Sequence, residues 1–166
     1  MDGYRIEPAR RDDAAWLARM SQQFVESGLR PAWGAARVGW HIRDADSVVL
    51  TARHGPAVAG FAIMRYGDER AHLNLLAVEP QHRRRSIART LLIWLEESAL
   101  TAGTFTVSLE LRAHNGGARA FYGALGYAEH GEVPGYYQGV ESAVRLQRDV
   151  RVARAAPGEH QAAPGS

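Results

Sequence analysis

The chain has 166 residues, 20 of them basic and 18 acidic, with a formal charge of +2 and a pI near 9.3. That length bounds it to one domain, with bulk enough to bury roughly two-thirds of its unfolded surface. It contains no cysteine and every basic residue is arginine, which excludes disulfides, thiolate metal sites, a cysteine nucleophile and lysine Schiff-base chemistry.

Other classes are disfavoured more softly. So mild a charge gives little support for nucleic-acid binding. No apolar run reaches the ~18 residues of a membrane span. The stretch Met1–Arg5 lacks the apolar core of a signal peptide, so a soluble cytoplasmic protein is expected. Seven histidines are scattered without a metal-type spacing, and no metal is expected.

In chain order, Tyr4–Pro8 reads as a first strand. Asp12 or Asp13 caps a helix running to about Glu26. Gly28 and Pro31 break the chain before a second helix that ends near Ile42, and residues 44–46 turn. Val48–Ala52, Val58–Arg65 and Ala71–Val78 are three strands joined by turns at His54-Gly55-Pro56 and Gly67-Asp68. A helix follows Ser86, with Ile87, Leu91, Trp94 and Leu95 on its core-facing side, and Gly103 ends that region. Thr104–Arg112 alternates as a strand, and Asn115 caps a short helix stopped by Gly126. Tyr127–Glu132 and Glu141–Arg148 are the last two strands, with Gly135–Gly139 between them. Residues 1–150 form the domain and 151–166 a disordered tail, rich in Ala, Pro and Gly from Ala155 onward.

The most informative stretch joins the strand ending at Val78 to the helix after Ser86. It runs Glu79-Pro80-Gln81-His82, then Arg83-Arg84-Arg85-Ser86-Ile87-Ala88-Arg89. Backbone N–H groups opening a helix lack partners inside it, and the helix dipole adds positive charge there. A strand feeding such a turn makes a seat for a pyrophosphate. The competing reading of the arginines is a solvated cationic edge.

The run resembles the acyl-CoA-binding motif of the GNAT superfamily of N-acetyltransferases, with Arg83, Ser86 and Ala88 at its signature positions. The family usually has glycine where Ser86 stands. A second block, Glu110 to His114-Asn115, then Phe121-Tyr122 and Leu125-Gly126-Tyr127, is similar to the second signature of that family. Its closest likeness is to the RimI-like branch, which acetylates protein N-termini. There a strand Glu precedes a helix Tyr by twelve residues, as Glu110 precedes Tyr122.

The resemblance implies an α/β (α+β) fold: a mixed sheet of about seven strands, the fourth and fifth splayed, with helices on both faces. It implies acetyl-CoA as donor, held by Leu76, Ala77, Val78, Arg83, Arg84, Arg85, Ser86, Ile87, Ala88, Arg89 and Asn115. A backbone N–H near Leu76–Ala77 is the expected oxyanion donor, Glu110 the general base and Tyr122 the general acid.

Chemistry supports those roles. An amine arrives as ammonium, of pKa ~8 to ~10, and a carboxylate whose pKa is raised by burial can deprotonate it. A phenol near pKa ~10 can protonate a leaving thiolate of pKa ~8.5. Glu110 shares a strand face with Ser108, which allows either a cleft or solvent. Tyr122 also reads as core beside Phe121. Glu79 is a rival base, and His72 and His114 are weaker candidates.

Tyr136 and Tyr137 are the expected acceptor contacts. The first two helices carry no pattern of the RimI-like branch. A small-molecule amine or antibiotic is therefore an alternative acceptor, and a non-catalytic acyl-CoA sensor or a nucleic-acid module using Arg83–Arg85 is an alternative class. The expected partners are acetyl-CoA and an amine, without nucleic acid or membrane, in a monomer or homodimer.

Overall fold

The computed structural model describes residues 3–154. The elements are β1 (Tyr4–Pro8), α1 (Ala14–Phe24), α2 (Ala35–Arg43), β2 (Ser47–His54), β3 (Ala57–Tyr66), β4 (Arg70–Val78), α3 (Ile87–Thr101), β5 (Thr106–Arg112), α4 (Gly116–Ala124), β6 (Ala128–Tyr137) and β7 (Glu141–Asp149). They form one seven-stranded sheet in the order β1-β2-β3-β4-β5-β7-β6. β4 and β5 are the parallel pair, and the other neighbours run antiparallel. The expected mixed sheet with helices on both faces is what the chain forms.

Each face of the sheet has its own core. Ala62, Met64, Ala71, Leu73, Val107 and Leu109 pack under α3 and α4, against Ile87, Leu91, Leu92, Leu95 and Tyr122. Phe61, Ile63, Leu75 and Ala77 pack under α1 and α2, against Leu17, Met20, Trp33 and Val38. Residues two apart on a strand normally share a face, yet Leu73 and Leu75 lie in opposite cores. The pairing with β3 slips there: Met64 faces Leu73 and Ile63 faces Leu75, which leaves Asn74 as an extra, bulged residue.

The same strand parts from its other neighbour. β4 and β5 pair only from Arg70–His72 to Thr106–Ser108, although β4 continues to Val78 and β5 to Arg112. A gap therefore opens in the middle of the sheet past His72. Beside its far end, Gly60 lets α3 close on the strands. A Cβ there would stand 3.0 Å from the Ala77 carbonyl oxygen and 3.2 Å from Ile87 Cγ2.

Four expectations change. Asp13 does not cap α1; its carboxylate takes the Arg10 amide at 2.7 Å and the Arg53 guanidinium, and a 3-10 turn at Arg11–Asp13 opens the helix. Trp94 is 48% exposed, because the buried stripe of α3 runs through Leu91, Leu92, Leu95, Glu96 and Ala99. β6 continues through Tyr136 and Tyr137 rather than ending near Glu132. The start of the expected tail is tied down: Arg154 donates to the Leu125 carbonyl at 3.0 Å and to Glu96 at 2.5 Å. The remainder of the tail, 155–166, lies outside the described residues.

Candidate active site

The turn before α3 is built to meet an anion. Pro80–His82 forms a 3-10 turn, and Arg84 and Ser86 then adopt left-handed backbone with φ of 63° and 61°. That alternation turns successive amides toward one concave side. The amides of Arg84, Arg85, Ser86, Ile87, Ala88 and Arg89 have no acceptor among the described residues. Val78, His82, Arg83, Arg84, Ser86, Ile87, Ala88, Arg89 and Phe121 line a cavity of about 360 Å³ beside them. Unpartnered amides, a helix N-terminus and arginines in one concavity match the charge and hydrogen-bonding capacity of a diphosphate.

A second, larger cavity of about 1040 Å³ shares Arg89 and Phe121 with the first and extends between α4 and the end of β7.

Across the gap lies a cluster of titratable side chains. Glu110 and His72 project to the α1/α2 side of the sheet, since Leu109 and Leu73 face the other core. His72 Nε2 sits 2.5 Å from Glu110 Oε2, and Arg145 Nε 3.5 Å from Glu110 Oε1. Burial alone would raise the Glu110 pKa as expected, but the His72 hydrogen bond outweighs it, helped by Arg145. The carboxyl is held below its ordinary range.

Tyr122 occupies the opposite face, on α4. Its ring packs edge-on against Phe121 at 5.0 Å and Tyr127 at 5.5 Å. It is a core residue, 5% exposed, and its hydroxyl has no hydrogen-bond partner among the described residues. Burial pushes its pKa well above the usual tyrosine value, so the proton stays on oxygen. Tyr127, by contrast, donates to Glu96 at 2.7 Å and is committed to structure.

Tyr136 and Tyr137 pack edge-to-face at 4.9 Å at the β6 end, and burial raises both pKa values, with the Glu110 charge adding to each. The next residue closes a bridge. Gln138, at φ 58°, donates from Nε2 to the Arg30 carbonyl at 2.7 Å and accepts the Arg30 amide on Oε1 at 3.1 Å. The β6–β7 hairpin is thereby fastened to the loop between α1 and α2. Glu26 shapes that loop, accepting from the Ala32 amide at 2.5 Å and the Trp33 amide at 3.2 Å.

The structure brings Val78, Arg83, Arg84, Ser86, Ile87, Ala88 and Arg89 together around the smaller cavity. Leu76, Ala77, Arg85 and Asn115 do not line it. Ala77 turns its side chain to the α1/α2 core, and Asn115 caps α4 by accepting the Ala118 amide at 3.0 Å. Glu79 accepts from Gln81 at 3.1 Å, and His114 lies 3.3 Å from Glu141, so neither joins Glu110. Sequence reasoning missed His82, which lines the cavity and meets the Tyr4 hydroxyl through Nδ1 at 2.7 Å. It also missed Gln138 and the pairing of His72 with Glu110. The first contact spans 108 positions and the second 38, and no local pattern encodes either. Among the described residues no group of three or more His, Asp or Glu is placed to hold a metal ion, and no helix is long and apolar enough to cross a membrane.

Comparison with known proteins gives one consistent answer. The profile described as "Acetyltransferase (GNAT) family" matches residues 14–127. The [ribosomal protein bS18]-alanine N-acetyltransferase of Salmonella typhimurium is 39% identical over 90 residues, covering 52% of this chain and 61% of that protein. The N-terminal acetyltransferase B complex catalytic subunit of Schizosaccharomyces pombe is 39% identical over 66 residues, covering 40% of this chain and 37% of the relative. Each alignment thus spans less than two-thirds of the relative's own length. Among solved structures, Arabidopsis thaliana NAA60 in complex with acetyl-CoA superposes with a TM-score of 0.79 at 17% identity, covering 90% of this chain and 99% of that one, a likeness of fold.

Proposed function

The chain belongs to the GNAT acetyltransferase family, and from that premise we propose that it is an acetyl-CoA-dependent N-acetyltransferase acting on the α-amine of a protein or peptide. The observation that carries this reading is the row of six unpartnered amides, Arg84 to Arg89, at the end of a strand that has parted from its neighbour. Acetyl-CoA supplies an activated thioester. The amides and Arg83, Arg84 and Arg89 hold its diphosphate, and the gap between β4 and β5 receives the acyl end. Two curated relatives, one named an alanine N-acetyltransferase of a ribosomal protein and one an N-terminal acetyltransferase subunit, support the choice of acceptor. We place the acceptor beside Tyr136, Tyr137 and the Gln138–Arg30 bridge, which would wall its slot.

The gap passes through the sheet, so the two proton-handling groups work from opposite faces. The Glu110–His72 pair, on the α1/α2 side, takes the proton from the incoming amine. Tyr122, on the α4 side, gives its proton to the departing sulfur. Burial holds the proton on the Tyr122 oxygen until the departing thiolate forms beside it. With no cysteine in the chain, acetyl passes directly from sulfur to nitrogen, and positioning of both reactants supplies much of the rate.

Two measurements test the reading. Calorimetry with acetyl-CoA should show saturable heat, and an arginine-to-alanine change at Arg84 should weaken it. Incubation with acetyl-CoA and a mixed pool of peptides and small amines, followed by mass spectrometry, should show acetyl groups on peptide N-termini. Labelling confined to small amines would reassign the acceptor. Binding without any thiol release would reduce the chain to a sensor.

A further inference from the structure

The proposed reaction needs a group that accepts a proton from an ammonium, and Glu110 is poorly suited to do so alone. Its carboxylate is already engaged by His72 at 2.5 Å and lies 3.5 Å from Arg145. Its affinity for protons is held below the ordinary value. Moving a proton from an α-amine to a carboxylate runs uphill by ~4 pH units, against ~1.5 to an imidazole.

The imidazole is placed where the acceptor must arrive. His72 is the last β4 residue laddered to β5, opposite Ser108, so it stands at the point where the strands part. The Asn74 bulge follows at once and turns the rest of β4 about, while His72 stays on the α1/α2 face with Glu110. Its side chain is 39% exposed, which leaves a path for reactant and solvent. With Nε2 against a carboxylate held ionised, the proton of the neutral ring belongs on Nε2. Nδ1 is then the basic nitrogen, and it has no partner among the described residues.

The charged neighbours leave that role open. From β3, Arg65 is the cross-strand neighbour of His72, but its Nε is drawn to Asp44 at 3.2 Å and its guanidinium lies over Trp40. From β7, Arg145 pairs with Glu110. Tyr136 stands at the hairpin and senses the Glu110 charge, and Arg37 of α2 stacks on Trp33 at 3.7 Å.

We propose that His72 is the proton acceptor of this acetyltransferase, with Glu110 as a positioning residue that fixes the ring's tautomer and steadies the imidazolium. The proposal rests on the reading of the chain as an amine acetyltransferase. In the step, the Nδ1 lone pair takes the ammonium proton and passes it to solvent, and the freed amine nitrogen bonds to the acyl carbon as the carbon–sulfur bond breaks. The Tyr122 hydroxyl proton goes to sulfur, Nδ1 takes the second proton from nitrogen and releases it to solvent, and solvent returns one proton to the Tyr122 oxygen.

The test uses the full chain, His72→Gln, His72→Phe and Glu110→Gln, with an acceptor peptide returned by the mass-spectrometric screen. Calorimetry with acetyl-CoA first shows which variants keep the donor site. In those, both His72 variants should lose on the order of 10²-fold or more in kcat/KM, together with the low-pH inflection of the pH profile, where a base loses its free lone pair. Glu110→Gln should keep that inflection, because the imidazole that accepts the proton is still in place. The reverse pattern, inflection kept in His72→Gln and abolished in Glu110→Gln, overturns the proposal.

Ring-nitrogen NMR of the unliganded wild-type chain decides independently of turnover and of how the variants fold. Neutral His72 should carry its proton on Nε2, and a proton found on Nδ1 overturns the assignment. A wild-type chain that binds acetyl-CoA but acetylates no amine would sink the functional reading instead, with the NMR result still standing.

Discussion

Single atoms decide most of the chemistry proposed for this site. Tyr122→Phe removes one oxygen and keeps a ring that packs against Phe121 and Tyr127. Turnover should fall on the order of 10²-fold while acetyl-CoA affinity holds; stopped thiol release against calorimetry separates the two, and unaltered turnover would return Tyr122 to a purely packing role. Ser86→Gly probes the cradle. Ser86 sits at φ 61°, where a Cβ costs ~1–2 kcal/mol, while glycine's freer unfolded chain costs ~0.4–1 kcal/mol in return. The net should be a gain of up to about 1.5 kcal/mol in chemical denaturation, with equal or tighter binding of acetyl-CoA. Weaker binding would mean that the hydroxyl is itself a ligand. Both residues stood out in the sequence because they fall in the two blocks that resemble the family's signatures. Asn115 was legible from local pattern alone, since its cap on Ala118 spans three positions.

At the scale of elements, legibility falls with the distance between partners. Strand and helix order could be read from alternation, helical spacing and glycine breaks. The face that each side chain takes was legible only where those periods ran undisturbed. The Asn74 bulge shifts β4 by one residue and so separates Leu73 from Leu75, which alternation places together. Trp94 was misplaced for a related reason: helical spacing names a stripe, but not its edges, and Glu96 lies inside the stripe because cations meet it there. The Gln138 bridge is the clearest contact that no local pattern announces. It copies a strand-like pair of hydrogen bonds onto a loop 108 positions away. Gln138→Ala should quicken hydrogen exchange at the Arg30 amide and raise the acceptor KM several-fold, as the slot wall loosens. Two partly exposed hydrogen bonds contribute about 1 kcal/mol each or less, so global stability should change little. An Arg30 amide as slow to exchange as in the parent chain would mean that the loop holds its place without the hairpin.

For the molecule as a whole, a sheet parted down its middle poses a structural problem, since the β4–β5 seam has only three laddered pairs. Helix α3 crosses that seam, packing on residues of β3, β4 and β5. Its buried Glu96, 4% exposed, carries the connection further. It accepts from Tyr127 at 2.7 Å and Arg154 at 2.5 Å, and stands 3.4 Å from Arg148 on β7. One carboxylate thus joins the helix over the gap to α4's exit, the last strand and the segment after it. Arg148 has a side chain only 8% exposed, so it cannot turn to water if its partner goes. Glu96→Ala should therefore cost about 3–5 kcal/mol, the range for breaking a buried pair from one side, and lower Tm by roughly 10 °C in a domain of this size. Arg154→Ala removes a more exposed partner and leaves Tyr127 and Arg148 in place, so its loss should be smaller. Thermal melts of the two variants check the order. A Glu96→Ala chain that melts with the parent would show that the seam is held by apolar packing under α3 alone, and that the charges around Glu96 only follow the fold.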